Sequence, residues 1–320
     1  MLPSLSIVIP SHNRVDLLTK CLRSIIKYAP AGTQILVVDD DSRGACVSQT
    51  AQRFDTVEVL RLSRRSGFAE AVNRGVETAT GTIVELLNDD TEVTAGWAEA
   101  ALQIFGNSNV GAVAPLVLMD SIGSPPRVDS AGDRYYWGGI AGKRGHRKQF
   151  VPGAYNSGPV FGASGSSAFI RRELFLRAGG FPEQFGAYFE DIDLAFRLHR
   201  MGFAIHFEPR SRVLHQVSGS YGKPSRQLLE KQSLNEERVF WRNLPPGVLA
   251  RAIPHHIAVL AAKSWQRWRA GGLAPFVCGR LRILSEVKEL VRHRQWLKEL
   301  GPKPQVQSWG IEKAYWGMKF

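Results

Sequence analysis

Apolar positions in the first 120 residues alternate between two periods. Leu5–Pro10 is a short run rich in β-branched residues and predicts a buried strand, while Leu17, Leu18, Cys21, Leu22, Ile25 and Ile26 follow at helical spacing. Gln34–Val38 predicts a second strand, Ala45–Phe54 a helix and Val57–Leu60 a third strand. Phe68, Ala71, Val72, Val76 and Ala79 mark another helix, which Gly81 stops before the strand Thr82–Leu87. A helix over Ala95–Phe105 and a strand over Val110–Leu116 complete the series. Strands alternating with helices predict an α/β fold with a mostly parallel sheet. Such sheets bind ligands beyond the carboxyl ends of their strands. Polar residues gather at those ends: Pro10–Arg14, Asp39–Ser42 and Asn88–Thr91.

The rhythm breaks over residues 120–160, which are rich in Gly, Pro and aromatics and hold a basic cluster of Lys143, Arg144, Arg147 and Lys148. This stretch reads as an irregular insertion or hairpin, and long loops in compact domains often carry function. Beyond it the pattern predicts a strand at Ser167–Ile170, a short helix at Arg172–Ala178, a turn at Gly179–Pro182, a helix at Ile192–Met201 and a strand at Phe203–Glu208. After Pro224 the chain becomes helical and basic, with Trp241, Trp265, Trp268, Trp296, Trp309 and Trp316. The expected organisation is an α/β domain over 1–224 followed by a basic, Trp-rich helical region over 225–320.

Composition narrows the class without naming a function. At 320 residues, 44% hydrophobic and 22% charged, the chain has enough apolar material for a large core, which excludes wholesale disorder. Cys21, Cys46 and Cys278 are far apart, and no CxxC pair exists, so neither a disulfide framework nor a zinc finger is expected. No run of about 18 apolar residues is present, and Met-Leu-Pro-Ser is not followed by a signal-type segment. The expected location is therefore cytoplasmic. Charge is uneven: residues 225–320 hold 17 of the 41 Lys+Arg and 7 of the 29 Asp+Glu, and so +10 of the net +12. Such a tail attracts polyanions, among them an anionic membrane surface met by tryptophans and arginines together. A peripheral position on the inner face of the cytoplasmic membrane follows from that expectation.

Five features carry candidate chemistry. Asn88-Asp89-Asp90 ends an apolar strand, and carboxylates there suit a hard divalent cation bridging a diphosphate; an acidic turn is the plainer alternative. Asp39 can accept hydrogen bonds from a base or a ribose, or cap a helix. Glu190-Asp191-Ile192-Asp193 opens a helix, where acids complement the dipole and where a carboxylate is kept ionised, as a general base requires. Gly67 at the start of its helix permits close approach of a phosphate or ribose, but no GxGxxG follows the first strand, which argues against a nicotinamide dinucleotide fold. His215, after a strand-like stretch, is either a structural histidine or a metal ligand.

Taken in order, Ser6–Arg14, Val37–Ser42, Gly67-Phe68-Ala69 with Asn73 and Gly75, Leu87–Thr91, Gly179-Gly180-Phe181, Glu190–Leu194 with Arg197, and His215 make the chain resemble family 2 glycosyltransferases of the GT-A fold over roughly 4–220. The nearest likeness is to the rhamnosyltransferase-like branch that builds bacterial surface polysaccharides. The resemblance implies a nucleotide-diphosphate-sugar donor, a saccharide or lipid-linked acceptor, Mg²⁺ or Mn²⁺, and inversion at the anomeric carbon. By the same resemblance Pro10, Ser11, Arg14, Asp39, Gly67, Asn73 and Asp89 lie on the nucleotide-sugar. Asp90 and His215 would ligate the metal, Asp191 would be the catalytic base and Glu190 its neighbour. Asn88 departs from the pattern, because the first acid of a DxD-type motif often stands there.

Two other functions were weighed on sequence grounds. A sugar-nucleotide pyrophosphorylase would also pair an α/β domain with acidic metal ligands, but it usually needs a Gly-rich, basic loop near the start, and Pro10–Arg14 is not one. A nucleic-acid-binding protein would suit the basic pI, but the charge is confined to the tail and no RNP, KH or zinc-finger signature is present. No nucleic-acid partner is expected.

Overall fold

The computed structural model describes residues 2–119, 125–216, 225–301 and 306–312. Trp316, the boundary at 224 and the first residues of the insertion lie outside these. The chain begins with β1 (Leu5–Ser11), α1 (Val15–Tyr28), β2 (Gln34–Asp39), α2 (Cys46–Ala51), β3 (Val57–Arg61), α3 (Phe68–Thr78) and β4 (Ile83–Leu87). These follow the expected order, with ends within a few residues of the expected ones. The next segment holds β5 (Thr91–Val93), α4 (Trp97–Ile104), β6 (Val110–Met119), β7 (Arg127–Ser130), β8 (Asp133–Tyr136), β9 (Ile140–Lys143) and β10 (Gly158–Val160). Then come β11 (Ser167–Arg171), α5 (Arg172–Arg177), α6 (Glu190–Arg200) and β12 (Ala204–His215). Helices α7 (Arg226–Asn243), α8 (Pro246–Arg269), α9 (Leu273–Arg282) and α10 (Val287–Leu300) follow.

Strands β3, β2, β1 and β4 pair in that order and in parallel. β11 then runs antiparallel between β4 and β6, and β12 pairs parallel with β6. Period-two alternation in β1 explains the layering. Ile7 and Ile9 pack with Leu18 and Leu22 of α1 and Trp97 of α4 on one face, whereas Val8 packs with Val72 and Val76 of α3 on the other. Gly75 allows α3 to lie this close: a Cβ there would sit 2.3 Å from Val8 Cγ1. Glu85 is buried between the layers and receives hydrogen bonds from Trp97 Nε1 (3.1 and 3.2 Å) and Ser167 Oγ (2.9 Å).

Two departures from the expected pattern matter for the site. The strand expected at Phe203–Glu208 extends to His215, with a register shift between Glu208 and Arg212. Its second half pairs with β5, a strand too short and too polar to show in the apolar periodicity. The insertion contains β7, which joins the main sheet through β6, and the β8–β9 hairpin. The four C-terminal helices are tied to the α/β body by buried polar contacts. Asn243 Nδ2 donates to Asp193 Oδ1 (2.6 Å), Arg242 Nε lies 3.2 Å from the same oxygen, and His256 Nδ1 meets Gly138 O at 2.8 Å.

Candidate active site

Beyond the carboxyl ends of β1 and β4 lies a cleft of about 620 Å³. Its lining includes Asn88 and Asp90 after β4, Asp129 and Lys143 of the insertion, Ser164–Ser166, and Glu190 and Asp191 at the start of α6. Helices α7, α8 and α9 close the remaining wall through Glu236, Lys263, Arg267 and Phe276.

The acids after β4 are held from both sides. Ser11 Oγ donates to Asp89 Oδ2 (2.6 Å), and Arg14 Nη1 lies 2.9 Å from Asp90 Oδ2 and 3.5 Å from Asp89 Oδ1. Burial pushes the Asp89 carboxyl up to about 6 despite these contacts. Asp90 moves the other way: burial raises it, but His215 and then Arg14 outweigh burial and keep it ionised. His215 Nε2 stands 3.1 Å from Asp90 Oδ1, and its Nδ1 stands 3.0 Å from Asp129 Oδ2. Burial disfavours the imidazolium, yet Asp129 and Asp90 outweigh it and carry His215 up to about 9. Asp129 is also bonded by Lys143 Nζ (2.9 Å), and its backbone oxygen meets His146 Nδ1 (2.9 Å).

These groups fit a divalent cation, which would take the place of the proton on His215 Nε2. Asp90 Oδ1 is buried and receives no well-aligned hydrogen bond. It lies 3.1 Å from His215 Nε2, close to the roughly 3 Å between neighbouring ligands of an octahedral ion with bonds of about 2.1 Å. Asp129 on Nδ1 supplies the outer carboxylate that metal-binding histidines usually have. Among the described residues no group of three or more His, Cys, Asp and Glu forms a closed cage. Two protein ligands plus diphosphate oxygens are the usual arrangement for Mg²⁺ with a nucleotide.

Asp191 enters from α6. Its Oδ2 accepts from Gly165 N (2.9 Å) and its Oδ1 from Ile192 N (2.8 Å). The sequence reading expects the helix N-terminus to favour the ionised form. Here burial wins over those N–H groups, and the Asp191 carboxyl lies above its ordinary value. Glu190 is raised as well, by burial and then by Asp191, and its Oε2 has no hydrogen-bond partner among the described residues. Asp133, buried on the hairpin, is raised by burial and by Asp191, and its Oδ2 likewise has no partner. The turn feeding α6 is strained, with Tyr188 at φ 76° and Phe189 at φ 73°. Asn235 of α7 pins it by donating to the carbonyls of Phe185 (3.1 Å), Ala187 (3.2 Å) and Tyr188 (2.9 Å).

Other residues singled out in the sequence are engaged within the protein. Asp39 is fully buried and accepts from Ser42 N (2.8 Å), Ser48 Oγ (2.5 Å) and Arg61 Nη1 (2.8 Å). Burial would raise it, but the Ser48 and Ser42 hydrogen bonds prevail and lower it. Gly67, at φ 88°, donates to Asp40 Oδ2 (2.9 Å). Asn73 uses both ends of its amide on the backbone of Phe181 (2.7 and 2.9 Å). Pro10 sits at the end of β1 beside Val38. Asp90, Asp191, Glu190, His215 and Arg14 therefore share the cleft lining, while Pro10, Ser11, Asp39, Gly67, Asn73 and Asp89 are absent from it. Sequence reasoning missed Asp129, Asp133 and Asn235. Asp129 and Asp133 lie in the insertion, where no periodicity places them, and Asn235 is one polar residue on a polar helix.

Comparison with known proteins gives the same picture. A family model described as Glycosyl transferase family 2 matches residues 6–178. The uncharacterized protein y4gI of Sinorhizobium fredii is 29% identical over 241 residues, covering 69% of this chain and 25% of that one. The chain thus spans about a quarter of that relative's length. An N-acetylglucosaminyl-diphospho-decaprenol L-rhamnosyltransferase of Mycobacterium tuberculosis is 25% identical over 228 residues, covering 64% of this chain and 74% of that one. Among solved structures, the mannosyltransferase PcManGT from Pyrobaculum calidifontis, in complex with GDP-Man and Mn²⁺, matches with a TM-score of 0.56 and 20% identity. It covers 94% of this chain and 84% of that one. The expected GT-A architecture holds, and of the two enzyme classes weighed the transferase is the one matched.

Proposed function

The chain belongs to glycosyl transferase family 2 and is a glycosyltransferase; from that premise we propose that it moves a sugar, with inversion, from a nucleotide-diphosphate donor to a saccharide or lipid-linked acceptor in bacterial surface polysaccharide synthesis. The observation that carries this reading is a single cleft whose lining holds Asp90, His215 and Asp191 together. The acceptor class draws support from the rhamnosyltransferase relative, whose name specifies a diphospho-decaprenol acceptor.

In this reading the donor diphosphate lies over the end of β4. Asp90 and His215 would hold Mg²⁺ or Mn²⁺, with Asp129 fixing the imidazole through Nδ1. When bound, the cation supplies positive charge that stabilises the departing diphosphate. Arg14 holds Asp89 and Asp90 in place, and Ser11 orients Asp89. Asp191 accepts the proton of the acceptor hydroxyl as its oxygen forms the new bond to the anomeric carbon. The bond from that carbon to the diphosphate oxygen breaks on the opposite side, and the nucleoside diphosphate leaves. The raised position of the Asp191 carboxyl, set by burial against the Gly165 and Ile192 N–H groups, makes it a stronger base than an exposed aspartate.

A thermal-shift screen of nucleotide sugars with Mn²⁺ or Mg²⁺ tests the donor class, because a true donor stabilises the native state by mass action. Product analysis with the selected donor then reads the anomeric configuration. A protein that no nucleotide sugar stabilises, with or without cation, is not the transferase described here.

A further inference from the structure

Helix α8 presents two different sides. Its inner side is polar and engaged: His256 lies 3.1 Å from Glu237 Oε1 and stacks on Phe240 at 3.8 Å, and Lys263 Nζ meets Glu236 at 2.7 Å. Its outer side is apolar and open. Ile253, Ile257, Ala261, Trp265 and Trp268 recur every third or fourth residue on that side. Ile257, Trp265 and Trp268 are 60%, 61% and 59% exposed. Between Arg251 and Arg267 the only charged residue is Lys263, which turns inward. The indole rings of Trp265 and Trp268 lie 5.0 Å apart.

A second stripe runs over α9 and α10. Val277, Leu281, Leu284, Val287 and Val291 also recur at helical spacing, with Leu281 60% and Leu284 69% exposed. Isolated exposed apolar residues are ordinary, but two ordered rows on neighbouring helices are not. The charge around them is mostly positive, although Glu289 and Glu299 of α10 are exposed as well. Glu230, Glu236, Glu237 and Glu286 are each bound in ion pairs within these helices. Arg251, Arg269, Lys288 and Arg292 are exposed and have no ion pair among the described residues.

We propose that the outer face of α8, α9 and α10 docks on an anionic lipid bilayer and holds the cleft against the surface from which a lipid-linked acceptor reaches it. Tryptophans seat at headgroup depth, aliphatic side chains enter the acyl boundary, and arginines meet the lipid phosphates. Charge complementarity selects this occupant over a second copy of the chain, because a two-fold contact through this face would set its unpaired arginines against themselves. The same helices line the cleft on their inner side through Lys263, Arg267 and Phe276. The docking claim stands without the transferase reading; the lipid-linked acceptor rests on it.

The test is cosedimentation of the full chain with phosphatidylglycerol vesicles and with phosphatidylcholine vesicles, without any sugar nucleotide. The protein is expected to pellet with the anionic vesicles at low ionic strength, to be released by high salt, and to show a blue shift of tryptophan emission. Trp265→Ser with Trp268→Ser is expected to weaken that binding at least about tenfold while leaving the thermal melt and donor binding unchanged. Leu281→Glu with Leu284→Glu is expected to do the same from the second row. Failure of the unaltered chain to bind anionic vesicles overturns the proposal, as does equal binding by both double variants. A lipid-free dimer that the tryptophan variants dissociate overturns it in favour of a second copy. Donor binding, measured separately, reports on the transferase reading whichever way the vesicles behave.

Discussion

The imidazole Nε2 of His215 stands 3.1 Å from Oδ1 of Asp90, with the other ring nitrogen held 3.0 Å from Asp129. This geometry makes Asp129 a positioning residue: it holds the ring so that Nε2 faces Asp90. Asp129→Asn is expected to lower Mn²⁺ affinity by about 10- to 100-fold, the usual effect of removing an outer carboxylate. Calorimetric Mn²⁺ titration in the presence of a nucleoside diphosphate checks this. Asp90→Ala is expected to remove both activity and any response to Mn²⁺, whereas full activity of the unaltered enzyme under a chelator would contradict the assignment of both ligands.

Asp191→Asn is expected to reduce transfer by about 10²- to 10⁴-fold, the range that a positioned general base contributes. Donor affinity should be nearly unchanged, because Asp191 is bonded to Gly165 and Ile192 and makes no hydrogen bond or ion pair with Arg14, Asp90 or His215. Parallel donor binding and single-turnover transfer separate the two quantities. A matching loss in both would count against Asp191 as the base.

Glu85 links stability to pH. Burial pushes its carboxyl up to about 8, against hydrogen bonds from Ser167 and Trp97. The folded state therefore holds a proton that the unfolded chain releases near about 4.3. The stability contributed by that neutral carboxyl is complete below the unfolded value and is lost as pH rises towards about 8. Glu85→Gln keeps an acceptor for Trp97 and Ser167 and removes the titration. Its melting temperature relative to the unaltered chain should rise between pH 5 and pH 8, and parallel pH profiles would refute the argument.

Gly75→Ala sets a packing cost against a helix-propensity gain. Alanine in a helix interior is favoured over glycine by roughly 0.5–1 kcal/mol. The added Cβ would lie 2.3 Å from Val8 Cγ1 and 2.9 Å from Val38 Cγ2, and overpacking of this kind costs about 1–3 kcal/mol. Packing is the larger effect, so the variant should unfold at lower urea concentration. An unchanged or higher midpoint would show that β1 and β2 yield to α3.

The α/β frame was legible because its strands and helices obey clean periods. β1 alternates between two helical layers, and α1 and α3 place apolar residues every third or fourth position. Asp90, His215, Glu190 and Asp191 were legible as polar residues at element ends. The assembly around them was not. Asp129 reaches His215 across an 86-residue separation through β7, an element whose sequence has no distinctive pattern. Asp39 reads as an acceptor for a base or ribose at a strand end but is buried, because Ser42, Ser48 and Arg61 supply enough donors to hold it there. Local sequence marks where polar side chains leave the sheet, while long-range pairing decides which of them meet.

Strand β11 runs against its neighbours and separates the four parallel strands β3, β2, β1 and β4 from a mixed group built on β6 and β12, with Asp90 following the strand on one side of it and Asp129 and His215 held on the other. The candidate site is therefore assembled across the seam and belongs to neither group alone: Asp90 comes from one, Asp129 and His215 from the other, so the two halves cannot be rewritten independently.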